Sequence, residues 1–360
     1  MKTRNAFFKA MGAMTFCIAV AQSPAMGQGK VPTNEPFTIR IAQQPAKWSL
    51  EWFVASEKGW WEEVGLKPQI STFASGALVI AAGASGSWDV GASGNIPSVL
   101  GASKYGLQTI ALIDGESAAI AMVSPKNKAE QFLKDPASMK GQTIPVTFNS
   151  TGHWQATECL SKKFGLKQGE YRLVNLSPPD INAAMVSGKY DAAGIWAPNT
   201  YILEETIDAK VLCSGADLNL PIHSYIFVTP AFAEKNPEMV AKFLAVFMRA
   251  VAWEQKNPKE AEDYLKKFYD KIGVKIEDKY LTREMKDRPV YDLEEQLKVF
   301  SPGQSGQSEI SKWWNQVGDF MVSVKMIKGT PDPQKNITNK YLKMIQDDPK
   351  LRAFVAEGAK

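Results

Sequence analysis

Thr143-Ile144-Pro145-Val146-Thr147-Phe148-Asn149-Ser150-Thr151-Gly152-His153-Trp154 runs from a β-type stretch through small polar residues into the helical pattern of residues 155–164. A strand that ends in such residues and feeds an amphipathic helix is the repeating unit of α/β folds. Outward from this stretch the unit recurs. Residues 37–42 are followed by Gln43-Gln44-Pro45 and an amphipathic run to Trp61, and residues 69–73 by Ala74-Ser75-Gly76 and a further helical run. Residues 88–91 lead to Ser93-Gly94-Asn95-Ile96-Pro97, where Pro97 suits the first turn of a helix. Strand patterns at 107–113, 118–124, 172–176 and 191–196 continue the series, and together they predict parallel, doubly wound sheets. From Pro237 onward the pattern is helical, at Pro237–Lys256, 258–269 and 293–328, the last interrupted by Ser301-Pro302-Gly303-Gln304-Ser305-Gly306. No strand-rich third domain is expected, and the C-terminal third is expected to brace the first lobe.

A length of 360 residues suits two α/β lobes at roughly 100–200 residues each. The 44% hydrophobic and 22% charged content excludes a disordered chain. Met1-Lys2-Thr3-Arg4 is basic, and the apolar stretch 10–21 is too short to span a bilayer and ends near Ala25-Met26-Gly27. Residues 1–27 therefore read as a secretory signal cleaved after Gly27, leaving a protein free in the periplasm. Phe16 before Cys17 is too large for a lipoprotein cleavage site. Removing that segment leaves 39 basic against 38 acidic residues, and no basic cluster or aromatic-interleaved stripe points to nucleic acid. Whether Cys159 and Cys213 pair in an oxidising compartment is left open.

In doubly wound sheets, ligands lie beyond the carboxyl ends of the strands, where the following helices begin. The loops at 74–76, 93–97 and 148–154 each place small or hydroxyl residues at a helix start. There unpaired N–H groups and the macrodipole favour an anion without a full positive charge. Ser150 and Thr151 equally suit a helix cap. Their convergence with Ser75 and Asn95 on one cleft makes a carboxylate or sulfonate site the expectation. Trp48 and Trp196 are expected to wall it, with Trp154 in a lobe core. Lys47 is the expected cation of the first loop, and His153, from its position, is a better ligand candidate than His223. An enzyme reading finds no Gly-x-Ser-x-Gly elbow, His-Glu-x-x-His helix or zinc spacing, so no catalytic residue, metal or cofactor is expected.

Four stretches carry a family resemblance. They are Ala55-Ser56-Glu57-Lys58-Gly59-Trp60-Trp61-Glu62-Glu63-Val64-Gly65-Leu66; Gly83-Ala84-Ser85-Gly86-Ser87-Trp88-Asp89-Val90-Gly91; Val174-Asn175-Leu176-Ser177-Pro178-Pro179-Asp180 with Tyr190-Asp191-Ala192-Ala193-Gly194-Ile195-Trp196-Ala197-Pro198; and Phe232-Ala233-Glu234-Lys235-Asn236-Pro237-Glu238. In these, and over nearly all of its mature length, the chain resembles the periplasmic receptors for nitrate, sulfonate and taurine. The cores at 150–153 and 175–179 are most similar to the taurine-binding branch.

The resemblance implies a type II periplasmic binding protein of two doubly wound lobes, residues 28–121 with 226–360 and residues 122–225, joined by hinge strands near 118–124 and 224–230. It implies an ABC transporter permease and ATPase as partners, a monomeric receptor, and capture of a small organic anion by lobe closure. Gln44, Ser75, Gly76, Asn95, Ser150, Thr151, His153 and Trp196 fall at its cleft positions. Taurine receptors also need acids for the amine, where this chain carries Ala119 and Ser224. Taurine therefore requires Glu116 or Asp180 as a replacement acid, because a buried ammonium without a carboxylate carries a large desolvation penalty. Otherwise a sulfonate without an amine, or an aromatic or dicarboxylic acid such as phthalate held by Trp48 and Trp196, fits better. Thiamine-pyrimidine synthases, enzymes similar to this family, carry a cysteine-rich motif that Cys159 and Cys213 do not supply. A receptor or sensor acting without a permease remains open.

Overall fold

A computed structural model describes residues 35–304 and 306–360; the expected signal segment, residues 1–27, lies outside them. Ten strands are present among the described residues: β1 Phe37–Gln43, β2 Leu66–Thr72, β3 Val90–Gly94, β4 Gln108–Gly115, β5 Ile120–Pro125, β6 Thr143–Val146, β7 Arg172–Asn175, β8 Ala193–Trp196, β9 Ala209–Ser214 and β10 His223–Val228. The first sheet has the order β2-β1-β3-β10-β4, and the second lobe holds a β8-β5-β9 sheet and a β6-β7 pair. Val146 of β6 packs against Gly194 of β8, where a Cβ would lie 2.9 Å from its Cγ1.

The expectation of parallel sheets is corrected. The pairs β1-β2, β1-β3 and β6-β7 are parallel, but β10 runs antiparallel to β3 and β4, and β5 antiparallel to β8 and β9. The antiparallel strands are the two entered directly from a crossing: no helix separates β4 from β5 or β9 from β10, so neither is reached through the crossover helix of a βαβ unit. The hinge is displaced as well. β5 pairs only within the second sheet and β10 only within the first, so the chain crosses between Gly115 and Ile120 and returns between Ser214 and His223. The crossings bond to each other: Glu116 N donates to Ile222 O at 2.8 Å, Ser117 Oγ to Leu220 O at 2.6 Å, and Ala216 N to Ser117 O at 2.8 Å.

One core joins Ile39, Ile41, Val90, Ile110 and Tyr225 of the first sheet to Phe243, Val246 and Phe247 of the helix Pro237–Lys256. Each such fully buried side chain contributes roughly 1.5–3 kcal/mol. The second lobe has its own clusters, around Met122, Ile144 and Leu160 and around Ile181 and Ile195. Cys159 and Cys213 form a disulfide that joins the helix Thr151–Lys162 to β9.

The C-terminal third reaches beyond the first lobe. Tyr280 stacks on Tyr201 of the second-lobe helix Asn199–Ile207 at 5.0 Å, and Arg283 pairs with Glu204 at 2.9 Å. Trp154, expected in a lobe core, is buried where the lobes meet, 5.9 Å from Phe320 of the helix Glu309–Ser323.

Candidate functional site

Three helices begin at one cleft: Gly76–Gly83, Asn95–Tyr105 and Thr151–Lys162. Each follows a strand end whose cap residue, Ser75, Gly94 or Ser150, is still extended. The first amides of each helix have no carbonyl one turn back to bond, so they can face a ligand. Only Ser150 caps with its side chain, its Oγ accepting from His153 N at 3.2 Å. Two glycines permit the crowding. A Cβ on Gly76 would lie 2.0 Å from Ser93 Oγ, and one on Gly94 would lie 2.3 Å from Thr151 Oγ1. The second approach is across the lobes, as is the hydrogen bond from Thr151 Oγ1 to Asn95 Oδ1 at 3.1 Å, so the cleft is closed.

The closed cleft leaves a small cavity of about 30 Å³. Seven expected residues line it: Gln44, Trp48, Gly76, Glu116, Ser150, Thr151 and Trp196. Ser93, Gly94, Pro97 and Ile120 complete the lining. Gln44 Oε1 accepts from Ser93 Oγ at 2.8 Å, which holds its amide across the mouth of the first strand. Trp196 ends β8 and lies over Gly152, where a Cβ would be 3.3 Å from the indole. Among the described residues, Glu116 is the only charged side chain in the lining. Arg288, fully buried behind the cleft, holds Glu116 Oε1 at 3.0 Å.

Five expected residues do not line the cleft. Lys47 is the clearest correction. Its ammonium is buried between Glu51 at 3.1 Å and Glu254 at 2.7 Å. Burial opposes its charge, but Glu254, Glu51 and Asp114 outweigh it and hold the lysine above its ordinary range. Fully buried and held by these two carboxylates, the ammonium does not reach the cleft. His153 stacks on Phe148 at 5.0 Å, and burial pushes it down to about 4, so it is neutral at neutral pH. Ser75 caps its helix by backbone, its carbonyl accepting from Val79 N at 3.1 Å. Asn95 joins the lobes, accepting from Thr151 and donating from Nδ2 to Pro221 O at 3.2 Å. Ser224 is buried with its hydroxyl unpaired. Of the two candidate acids, Asp180 is exposed and accepts from Ser177 Oγ at 2.6 Å; Glu116 is the one in the cleft.

Ser93, Gly94 and Pro97 belong to the same helix start, 93–97, as Asn95, the residue of that loop expected in the site. Ile120 and Arg288 had no local signal: one sits inside an apolar strand, the other in a charged C-terminal helix. Among the described residues, no three His, Cys, Asp or Glu side chains gather as a metal site, and no helix is long and apolar enough to cross a membrane.

The first-sheet order, the paired crossings and the cleft between lobes define a periplasmic-binding-protein fold of type II. The solved alkanesulfonate-binding protein SsuA of Xanthomonas axonopodis pv. citri, bound to MOPS, shares it with a TM-score of 0.69 and 20% identity, over 84% of this chain and 99% of that one. The chain belongs to the NMT1/THI5-like family, whose model matches residues 49–261. It is 34% identical over 216 residues to the taurine-binding periplasmic protein of Escherichia coli K12, covering 58% of this chain and 63% of that protein. It is 26% identical over 284 residues to a putative binding protein of Brucella abortus, covering 78% of this chain and 83% of that one.

Proposed function

We propose that the chain is the exported solute receptor of an ABC importer, and that it captures a zwitterionic aminosulfonate of the taurine class by lobe closure. The closed, ligand-bound form is then recognised by a membrane permease with its ATPase. The observation that carries this reading is the charge pattern of the cleft. Uncharged donors at three helix starts suit a sulfonate, and Glu116, alone among charged lining residues, suits an ammonium. The relative named for taurine and the neighbour bound to MOPS support the sulfonate half. In this reading Gln44, Gly76, Ser93, Ser150 and Thr151 hold the sulfonate, and Trp48 and Trp196 cover the carbon chain. Lys47 is left out. A dicarboxylate such as phthalate is disfavoured, because its second negative charge would face Glu116 with no cation in the lining among the described residues. In this reading the protein binds its solute and releases it to the permease.

Calorimetric titration of the purified protein with 2-aminoethanesulfonate, ethanesulfonate and phthalate tests this. The aminosulfonate is expected to bind tightest. Glu116→Gln is expected to weaken it by about 1.5–3 kcal/mol, roughly tenfold to more than a hundredfold, while ethanesulfonate changes little. Phthalate binding tightest would overturn the reading.

A further inference from the structure

The carboxylate that faces the solute is held from behind. Arg288 follows the helix Asp278–Asp287, and none of its side chain is exposed. Its Nε donates to Glu116 Oε1 at 3.2 Å, and Nη2 stands 3.0 Å from the same oxygen. The other oxygen, Oε2, is thereby left for the cleft; a Cβ on Gly94 would lie 3.6 Å from it. Nη2 also donates at 3.1 Å to the carbonyl of Ala197, the residue after Trp196. Nη1 donates to Glu284, and Nε stands 3.9 Å from Asp114 Oδ2. One planar fork therefore ties a cleft carboxylate at the first crossing to the backbone beside the Trp196 wall in the second lobe.

We infer that Arg288 is a specificity-determining positioning residue: it fixes Glu116 with one oxygen turned to the solute's ammonium. This rests on the aminosulfonate reading above. Without the guanidinium, Asp114, Glu116 and Glu284 would share a region where none is more than 3% exposed. The remaining charges around it are Lys47 with Glu51 and Glu254, and the neutral phenol of Tyr269 donates to Glu284 at 2.7 Å. Without its counter-charge Glu116 is no longer held with one oxygen toward the cleft, and its preference for a cation there falls. A lysine at 288 keeps the charge but, as a point donor, cannot serve Glu116 and Ala197 in the same fixed geometry.

The test is the ratio of affinities for 2-aminoethanesulfonate and ethanesulfonate, measured by calorimetry in the wild type, Arg288→Lys and Arg288→Met, with melting temperatures recorded alongside. Arg288→Met is expected to lower the ratio by about tenfold or more while ethanesulfonate affinity stays within about threefold. Arg288→Lys is expected to restore part of the ratio, and Arg288→Met added to Glu116→Gln to change it no further. Both ligands weakening by one common factor in the two Arg288 variants would overturn the inference and make the residue purely structural. Should Arg288→Met fail to fold, the ratio in Arg288→Lys decides. A wild type that binds neither sulfonate removes the functional reading itself; one that prefers the aminosulfonate with a ratio indifferent to residue 288 removes only this inference.

Discussion

Lys47 and Arg288 are both fully buried, and each is surrounded by more carboxyls than it can neutralise. Around Lys47 stand Glu51 and Glu254; around Arg288 stand Glu116, Glu284 and Asp114. The ammonium is a point charge enclosed by its two partners, so its influence ends in the core of the first lobe. The guanidinium spreads its donors over a fork, so it can satisfy buried acids and still reach a cleft carboxylate and a carbonyl of the other lobe. Two cations in similar surroundings thus have different outlets: one goes to stability, the other to recognition.

The largest effect that tests this contrast is at Lys47. Lys47→Met leaves Glu51 and Glu254 buried without their cation, and is expected to cost about 3–5 kcal/mol in urea unfolding. Affinity of the folded protein for 2-aminoethanesulfonate should stay within about threefold. A tenfold loss of affinity at unchanged stability would return Lys47 to the site and erase the contrast.

The next effect sharpens it on the second-lobe side. Trp196 is half-buried over Gly152 at the cleft. Trp196→Ala is expected to weaken solute binding by about 2 kcal/mol, roughly thirtyfold, and to lower unfolding free energy by about half as much. Equal losses would make the indole a core residue.

The residues explain why one cation was visible in the sequence and the other was not. Lys47 precedes Trp48 in a loop at a strand end, which reads as a site. The counter-signal was its i, i+4 spacing to Glu51, a pair that forms on one helical face. Glu254 and the pairing of Arg288 with Glu116 depend on long-range packing, which no local pattern encodes. The same division runs through the fold. Strands that end in Ser, Gly and Asn before a helix were legible, because strand periodicity and helix-start chemistry agree there. β9 was not: Asp208, in the left-handed region at φ 50°, ends the preceding helix where a glycine would have marked the stop, and burial along the strand does not alternate. Strand direction and the true crossings were equally hidden, since both follow from where the chain crosses between the sheets. In the cleft, residues read from helix starts, such as Gly76, Ser150 and Thr151, line it; Asn95 and His153, read from the same loops, face the lobe contact and Phe148.

The smallest effect concerns the carboxyl surplus that the two cations share. Five acids face two bases, and burial pushes Asp114 and Glu284 up, and Glu254 to about 8, despite the nearby cations. Protonating those three would bring the cluster to neutrality, which is how a buried site sheds unpaired charge. A carboxyl raised in the folded state binds more protons folded than unfolded, so its contribution is complete below its unfolded value near 4.5 and is lost as pH climbs toward 8. His153 and His223, both lowered to about 4 by burial, act in the opposite sense, adding stability as pH rises from about 4 to 6.5. Above that window the histidines fall silent and the acids remain. The melting temperature is therefore expected to decline between about pH 6.5 and 8.5. Glu254→Gln, which removes one titrating acid beside Lys47 but none beside Arg288, should flatten that decline in part. A melting temperature that instead rises through the interval would mean that the acids around Lys47 are ionised in the native state, and that the surplus is balanced by something other than protons.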